Sequence, residues 1–207
     1  MGTKERKQRE LENRKQFIIE KSKELFFQKG FSNVTIQDIC DAIEYGRSAV
    51  YNLFESKEEI YGYVYIEAVK ILADLLNEIE IEKVNPAMTF AVATKQIFKF
   101  YSDYTPYYKA LFFFDTNHLA CDQIPERILK VKYSEKERAM KPVRYLLNLG
   151  IKKGVFKNIN VDNVINTYFA SILGIINMFV TEEMLGFEKL GAVLDYHAQI
   201  YDQGLMR

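Results

Sequence analysis

A short segment of this 207-residue chain carries four polar side chains that could bind nucleic acid. They occupy outward-facing positions of a helix predicted over residues 47–53: Arg47, Ser48, Tyr51 and Asn52. Arginine can donate two parallel hydrogen bonds to a guanine edge or to a phosphate, and hydroxyl and amide groups can contact bases or the sugar-phosphate backbone. The chemistry that this group of residues favours is therefore recognition of DNA.

A second short helix must hold these side chains in position. Thr35 is a good N-cap for it, because a threonine hydroxyl can accept a hydrogen bond from an otherwise unpaired backbone N–H. The following apolar residues recur at the spacing of one helical face: Ile36, Ile39, Cys40 and Ile43. We expect Cys40 to be a small core residue, while Gln37, Asp38 and Asp41 point away from the core.

The run Glu44-Tyr45-Gly46 separates the two helices, and we expect Gly46 to supply the backbone freedom that a tight turn needs. After it, the residues predicted to pack back on the preceding helix are Ala49, Val50 and Leu53 or Phe54. Ser56 and Glu59 have the spacing of a capping box, which predicts that a new helix begins there. Two short helices joined by a tight turn are the pattern of a helix-turn-helix, in which the second helix enters the major groove.

The segment resembles the N-terminal DNA-binding domain of the TetR family of transcriptional regulators. The matching positions cover about the first third of the chain: Ile18, Phe26, Gly30, Phe31, Thr35, Ile39, Ala42, Tyr51, Phe54, Lys57 and Ile60. The chain departs from the family in the turn, where Glu44-Tyr45-Gly46 replaces the usual Gly-Val-Ser. The resemblance implies that Thr35, Tyr51 and Lys57 contact the DNA backbone. The complete predicted DNA-binding set is Thr35, Tyr45, Gly46, Arg47, Ser48, Tyr51, Asn52 and Lys57.

Composition limits the remaining classes of protein. The chain has 28 basic and 28 acidic residues, so its net charge does not by itself indicate nucleic acid. Residues 1–29 are nevertheless basic, with nine Lys or Arg against five Glu. Two cysteines predict no disulfide framework. The N-terminal residues lack the apolar stretch of a signal peptide, and the most apolar run, residues 168–180, is shorter than the ~20 residues that span a membrane. We expect a soluble cytoplasmic protein that does not interact with membranes.

Only four prolines and almost no alternating apolar and polar residues predict an all-α chain. We expect a three-helix DNA-binding domain over residues 1–56 and a helical effector-binding and dimerisation domain over residues 57–207. The first helix is predicted over residues 7–29, and the fourth from Ser56 toward Glu82 without a flexible linker. Pro142 either kinks a long helix predicted from Pro125 to Lys153 or divides it in two. A second capping-box match at Ser134 lies in the same region.

Aromatic side chains are concentrated between residues 90 and 114. Most of them are expected to be core, but the run is too dense for all to point inward from single helical faces. An apolar pocket with a few polar groups is the usual form of a small-molecule site, and the resemblance places the family's effector in this region. The predicted effector-binding residues are Phe98, Tyr101, Tyr104, Tyr108, Phe112 and Phe113. We expect the effector to be hydrophobic or flat.

The apolar helix predicted over residues 162–185 carries small side chains that would let another helix approach closely. The resemblance implies that this helix and the one before it form a four-helix dimer interface. The predicted interface residues are Ala170, Ser171, Gly174 and Met178. A single recognition helix also reads few bases, which favours a homodimer.

His118, Cys121 and Asp122 could suggest a metal site, but one HxxC pair without a second ligand pair favours a polar loop. His197 has no nucleophile near it in the sequence, and we find no catalytic set. We therefore expect a one-component transcriptional regulator without a cofactor, a repressor that binds double-stranded operator DNA and responds to a small-molecule effector. The competing class is a helical small-molecule-binding protein or enzyme with this fold and no DNA-binding role.

Overall fold

The computed structural model describes residues 2–116, 123–182 and 187–207. Its helices, in chain order, are α1 (Thr3–Lys29), α2 (Ile36–Ile43), α3 (Arg47–Tyr51), α4 (Lys57–Asn77), α5 (Thr89–Asp103), α6 (Thr105–Thr116), α7 (Glu126–Lys152), α8 (Val161–Glu182) and α9 (Phe187–Leu205). Short 3-10 turns lie at Phe31–Asn33, Ile81–Lys83 and Pro86–Met88. In the described ranges the only β pairing is an isolated bridge between Phe156 and Met206, so the all-α class is confirmed.

The chain divides into two compact units. The first comprises Met1–Ala68 and Lys109–Lys132, and the second comprises Val69–Tyr108 and Tyr133–Arg207. Three helices, α4, α6 and α7, contribute residues to both units. These units are defined by packing, whereas the division predicted at residue 56 concerns function and stays a prediction.

In the first unit, α1 packs against α2, and α2 packs against α3. Its core contains seven side chains that are nearly or fully buried: Ile18, Phe26, Ile39, Cys40, Val50, Phe54 and Ile60. Aromatic rings also pack against one another in this unit. The ring of Phe113 lies 5.4 Å from that of Phe31 and 5.7 Å from that of Tyr61, between centroids. The Tyr61 hydroxyl donates to the carbonyl of Ala110 at 3.2 Å.

In the second unit, α9 packs against both α5 and α8. A buried carboxylate on α9 completes the start of α5. Asp202 accepts the N–H groups of Phe90 and Ala91, each at 3.0 Å. The first N–H groups of a helix have no partner within the helix, and the positive end of the helix dipole favours an anion there. Asp202 therefore ties the two helices together through hydrogen bonds as well as apolar packing.

Several helix boundaries differ from those predicted. α4 ends at Asn77 and not near Glu82, and a separate 3-10 turn covers Ile81–Lys83. α7 is one helix over Glu126–Lys152, so Pro142 does not divide it, and the capping-box match at Ser134 lies inside the helix. Proline removes only one backbone donor, and a helix with buried neighbours such as Val143 and Leu146 can tolerate that loss.

Candidate nucleic-acid interface

Thr35 begins α2 with a reciprocal pair of hydrogen bonds. Its hydroxyl accepts the Asp38 N–H at 3.1 Å, and the Asp38 carboxylate accepts the Thr35 N–H at 2.8 Å. The sequence predicted the threonine cap but not its aspartate partner. Hydrogen bonds from Thr35 and the ammonium group of Lys29 hold the pKa of Asp38 well below its usual range. The helix end that the resemblance places against phosphate is thus fixed by local bonds.

The turn between α2 and α3 corrects one sequence-based expectation. Glu44, not Gly46, has the left-handed backbone conformation, with φ 57° and ψ 33°, whereas Gly46 has an ordinary extended conformation with φ −71°. The Glu44 and Tyr45 N–H groups both reach the carbonyl of Cys40. A helix that ends in this way prefers glycine at the left-handed residue, so the position at which the family has glycine is strained here by a glutamate.

The faces of α3 are divided as the sequence predicted. Val50 is fully buried and Phe54, just after the helix, is 2% exposed. The polar side chains on the other side are exposed: Arg47, Ser48, Tyr51 and Asn52. α3 itself is shorter than predicted and ends at Tyr51. The fold therefore presents to solvent the four side chains whose chemistry suits base and phosphate contacts.

A hydrogen-bonded chain that sequence reasoning did not foresee joins Arg47 to α2. The Arg47 Nε donates to Gln37 Oε1 at 2.8 Å, and Gln37 Nε2 donates to Asp41 Oδ1 at 2.7 Å. The i, i+4 spacing of Gln37 and Asp41 could have indicated the second bond. The first crosses the turn and depends on how the two helices pack.

Tyr45 connects the turn to α1. Its ring lies 6.4 Å from the ring of Phe17, and the guanidinium of Arg14 lies 5.7 Å from its centroid. All three side chains are exposed. Arg14 and Phe17 of α1 therefore contact the turn of the helix-turn-helix.

Lys57 is more than a surface cation. Its Nζ donates to the carbonyls of Phe31 and Val34, at 3.0 and 2.7 Å, and lies 4.0 Å from the centroid of the Phe31 ring. Burial lowers the pKa of its ammonium group. Lys57 thus joins the start of α4 to the segment before α2, and its contact with the DNA backbone stays a prediction.

A pair of salt bridges from Arg127 stabilises the turn between α3 and α4. Arg127 binds the carboxylates of Glu55 and Glu59, at 2.8 and 2.7 Å, and Glu59 also accepts the N–H of Glu55 at 2.7 Å. The Glu59 N–H is capped by Ser56 at 3.0 Å, so half of the predicted capping box forms. The Glu59 side chain is fully buried, and Arg127, which neutralises its charge, lies 68 positions away in the sequence.

The residues predicted to bind an effector fall in both units. Phe112 and Phe113 lie in the first unit, and Phe98, Tyr101, Tyr104 and Tyr108 in the second. Tyr108 is buried, and its hydroxyl donates to the carbonyl of Leu173 at 3.0 Å. The Tyr101 ring packs on it at 5.2 Å, and Phe98 lies 6.3 Å from Tyr101. Tyr104 is exposed.

The predicted dimer residues lie on α8. Ala170 and Met178 are exposed, Gly174 is half-buried, and a Cβ added to Gly174 would meet no atom within 4 Å. Ser171 instead faces α9, with its Oγ 2.7 Å from His197 Nε2 and 3.3 Å from the Tyr201 hydroxyl.

His118, Cys121 and Asp122, predicted as a polar loop, lie outside the described residues. Within the part of the chain that the structure describes, no group of three His, Cys, Asp or Glu could hold a metal ion. In that same part, no helix is both long enough and apolar enough to cross a membrane.

Two sequence comparisons with known proteins match only part of the chain, and the family match includes the helix-turn-helix. Residues 18–64 match the family described as "Bacterial regulatory proteins, tetR family". Over 53 residues the chain is 40% identical to "HTH-type transcriptional repressor DhaR" of Mycobacterium sp. (strain GP1). That match covers 26% of this chain and only 27% of the length of DhaR.

Solved structures extend the likeness over nearly the whole fold. The TetR family transcriptional regulator PfmR from Thermus thermophilus gives a TM-score of 0.62 at 20% identity, covering 92% of this chain and 99% of that one. A bacterial regulatory protein in the tetR family from Rhodococcus RHA1 gives a TM-score of 0.68 at 10% identity, covering 91% and 96%. At these identities the likeness shows the fold. The chain thus has a segment, residues 18–64, that matches the tetR family, and a fold that it shares with solved TetR family regulators.

Proposed function

We propose that this chain is a one-component repressor that acts in the cytoplasm, binds a palindromic operator as a homodimer and is released by a small hydrophobic or aromatic effector. The observation that carries the proposal is the polar face of α3, which is exposed while Val50 on the opposite face is buried. A helix supported in this way can enter the major groove and reach base edges. The name of DhaR, a transcriptional repressor, favours repression over activation.

Within this proposal, the DNA contacts divide by chemistry. Arg47 has the donors to read a guanine edge, and Ser48 and Asn52 can contact bases or phosphates. Tyr51, which is 55% exposed, and the start of α2 at Thr35 are suited to the DNA backbone. Tyr45 and Gly46 belong to the turn that brings α3 to the groove. Lys57 has one ammonium hydrogen beyond its two carbonyl bonds for a phosphate.

Two features support the proposed homodimer, namely the geometry of DNA reading and the exposed apolar surface on α8. One helix of five residues contacts few base pairs, so useful specificity requires two subunits on two half-sites. Met178 is 59% exposed, and the open space at Gly174 would let a partner helix approach closely. On α9, Tyr196 and Ile200 are also exposed, at 65% and 53%. Burial of these side chains would give a second subunit a favourable apolar contact.

For the effector, we propose a site bounded by aromatic rings of α5 and the start of α6. Phe98 and Tyr101 are half-buried, and Tyr104 is 36% exposed, so these rings can still bury surface against a ligand. The ring of Tyr108 packs against that of Tyr101, and a hydrogen bond from its hydroxyl to the carbonyl of Leu173 holds Tyr108 in place. Effector release needs only that the ligand bind the DNA-incompetent state more tightly. α4 runs without interruption from Lys57 to Asn77 and could carry that preference toward the DNA-binding residues.

The competing class, an enzyme of this fold, is not favoured by the Ser171–His197 pair. Nucleophile activation requires the serine to donate its proton to the histidine. Here the Ser171 Oγ lies 2.9 Å from the carbonyl of Tyr168 and 2.7 Å from His197 Nε2, so the carbonyl competes with the histidine for the single hydroxyl proton. His197 Nδ1 has no hydrogen-bond partner in the described structure that could orient the ring. The pair is arranged to hold α8 and α9 together.

A selection experiment tests the proposed function and does not require a known operator sequence. Full-length protein is incubated with duplexes that carry a random central segment, and the bound fraction is amplified and sequenced over several rounds. We expect enrichment of a two-fold symmetric sequence whose half-sites lie about 10 base pairs apart or a multiple of that. Arg47→Ala should lose the preference at one position of each half-site. A bound pool with the composition of the input would contradict the proposal.

A further inference from the structure

Gln37 occupies the centre of the hydrogen-bonded chain that ends at Arg47. Its side chain accepts from Arg47 Nε at 2.8 Å and donates to Asp41 Oδ1 at 2.7 Å. All three side chains are exposed, yet they form a continuous series from α2 across the turn to the first residue of α3. Gln37 is the only member that bonds to both of the others.

The two neighbours of Gln37 fix the orientation of its amide. A carboxylate can only accept hydrogen bonds and a guanidinium can only donate them. Rotating the amide by half a turn would place its oxygen against Asp41 and its NH₂ against Arg47, and would break both bonds. Asp41 therefore holds the Gln37 oxygen toward Arg47.

The bond to Gln37 uses one particular donor of Arg47. With Nε engaged, the two terminal Nη groups keep their hydrogens, and neither has a hydrogen-bond partner among the described residues. Two Nη groups side by side match the O6 and N7 acceptors of guanine. An arginine has large rotamer freedom, and a contact that fixes it before binding reduces the entropy lost on the DNA.

We infer that Gln37 is a positioning residue for the reading of DNA sequence. Asp41 holds the Gln37 side chain, and Gln37 in turn fixes the guanidinium of Arg47 so that its two terminal nitrogens face a guanine edge. The inference rests on the proposed function and adds to it a residue on α2 that contributes to specificity through α3. A restraining role, in which the same bonds hold Arg47 away from DNA, would change operator affinity in the opposite direction. Removing a positioning bond weakens operator binding, whereas removing a restraining bond strengthens it.

The test is a double-mutant cycle on full-length protein. Affinity is measured by fluorescence anisotropy for the selected operator and for a scrambled duplex of equal length, with wild type, Gln37→Ala, Arg47→Ala and the double variant. We expect Gln37→Ala to weaken operator binding by about three- to tenfold, the value of one exposed hydrogen bond and the order it provides. Binding to the scrambled duplex should change less than about twofold. In the Arg47→Ala background, Gln37→Ala should have no further effect.

Gln16 offers a matched control. Its Nε2 donates to Glu20 at 2.8 Å, which is the same exposed i, i+4 bond without an arginine. Gln16→Ala should leave operator preference unchanged. A DNA-free readout is the NMR signal of the Arg47 Nε–H, assigned by its loss in Arg47→Ala. We expect slow solvent exchange in wild type and in Gln16→Ala, and fast exchange in Gln37→Ala.

The outcomes separate this inference from the proposed function. If wild type discriminates the operator but Gln37→Ala binds it equally or more tightly, the positioning role is wrong and the repressor proposal stands. An equal loss in the Arg47→Ala background would also overturn the role, because Gln37 would then act independently of Arg47. If wild type shows no sequence preference at all, the proposed function fails and this inference fails with it.

Discussion

At the residue scale, Lys57 combines a structural bond with a predicted DNA contact. Its ammonium group donates to the carbonyls of Phe31 and Val34 and lies over the Phe31 ring. These acceptors are 26 and 23 positions away in the sequence, so local patterns could not reveal them. A loss of DNA binding in a Lys57 variant therefore has two possible causes, one in the fold and one at the phosphate.

Lys57→Met keeps most of the side chain's apolar length but removes both bonds to the carbonyls. We predict a decrease of about 1–2 kcal/mol in the free energy of unfolding, because two partly buried acceptors lose their donor. Denaturant unfolding measures this, with Lys141→Met, an exposed lysine on α7, as the control. On DNA, Lys57→Met should weaken operator and scrambled duplex alike and reduce the salt dependence by about one phosphate contact. An unchanged salt slope would remove Lys57 from the DNA-binding set.

At the element scale, the turn after α2 is a site of backbone strain. Glu44 has φ 57° where the family usually has glycine. We predict that Glu44→Gly stabilises the protein by about 1 kcal/mol, since the left-handed conformation is unfavourable for a residue with a Cβ. Thermal or denaturant unfolding measures the change. Glu12→Gly, at an exposed position of α1 with ordinary helical geometry, should instead be neutral or destabilising. A destabilised Glu44→Gly variant would mean that the glutamate side chain makes a compensating contact.

The contact between α5 and α9 should make the stability of the protein depend on pH. Burial raises the pKa of Asp202 to about 6 from its ordinary 3.8. The folded state then holds a proton that the unfolded state has released, so this group's contribution to stability is complete below about pH 4 and is lost as the pH rises through about 6. The full loss is on the order of 3 kcal/mol. Burial lowers the pKa of His197. This shift makes stability increase with pH over part of the same range, opposite to the effect of Asp202.

Because the two effects oppose each other, the difference between wild type and Asp202→Asn isolates the carboxylate. We predict that the stability of wild type relative to Asp202→Asn falls as the pH is raised from about 4 to about 7. Denaturant unfolding at several pH values measures it, with Asp195→Asn, exposed on the same helix, as the control. A constant difference across the range would show that Asp202 is ionised throughout and that its two bonds to α5 outweigh its burial.

The elements also show what the sequence could predict. The N-cap at Thr35, the buried positions Val50 and Phe54 and the exposed positions on α3 follow from local spacing, and the structure has them as predicted. The prediction that Gly46 supplies the unusual backbone conformation of the turn was wrong, because the left-handed residue is Glu44. The nearby glycine had offered a simpler explanation of the turn. Bonds that depend on packing were not foreseen: Arg47 to Gln37, Lys57 to Phe31 and Arg127 to Glu59.

At the scale of the whole molecule, the proposed homodimer is testable at one glycine. Gly174 on α8 has open space around it, so a large side chain can be placed there without an internal clash. We predict that Gly174→Trp shifts the protein toward monomer and abolishes operator binding while helical content is retained. Analytical ultracentrifugation and circular dichroism measure this. Gly204→Trp, at a glycine of α9 that is equally open, should remain dimeric. A wild-type monomer at micromolar concentration would contradict the dimer.

The proposed effector site is testable with an aromatic probe before the natural effector is known. The fluorescent dye 1-anilinonaphthalene-8-sulfonate combines fused rings with a single charge. We predict saturable binding to wild type and weaker binding to Tyr101→Ala, because the half-buried ring would contact the ligand. DNA affinity in the absence of dye should be nearly unchanged. Tyr133→Ala, at an exposed tyrosine of α7, is the control. Equal dye binding by wild type and Tyr101→Ala would exclude Tyr101 from the site.

The central claim is that α3 reads DNA sequence, and the difference between operator and scrambled DNA tests it most directly. Equilibrium affinities of wild type and Arg47→Ala are measured for both duplexes at several salt concentrations. We predict that Arg47→Ala loses about 1–3 kcal/mol of binding free energy on the operator and far less on the scrambled duplex. Equal losses on both duplexes, or a wild type that binds both equally, would contradict the claim.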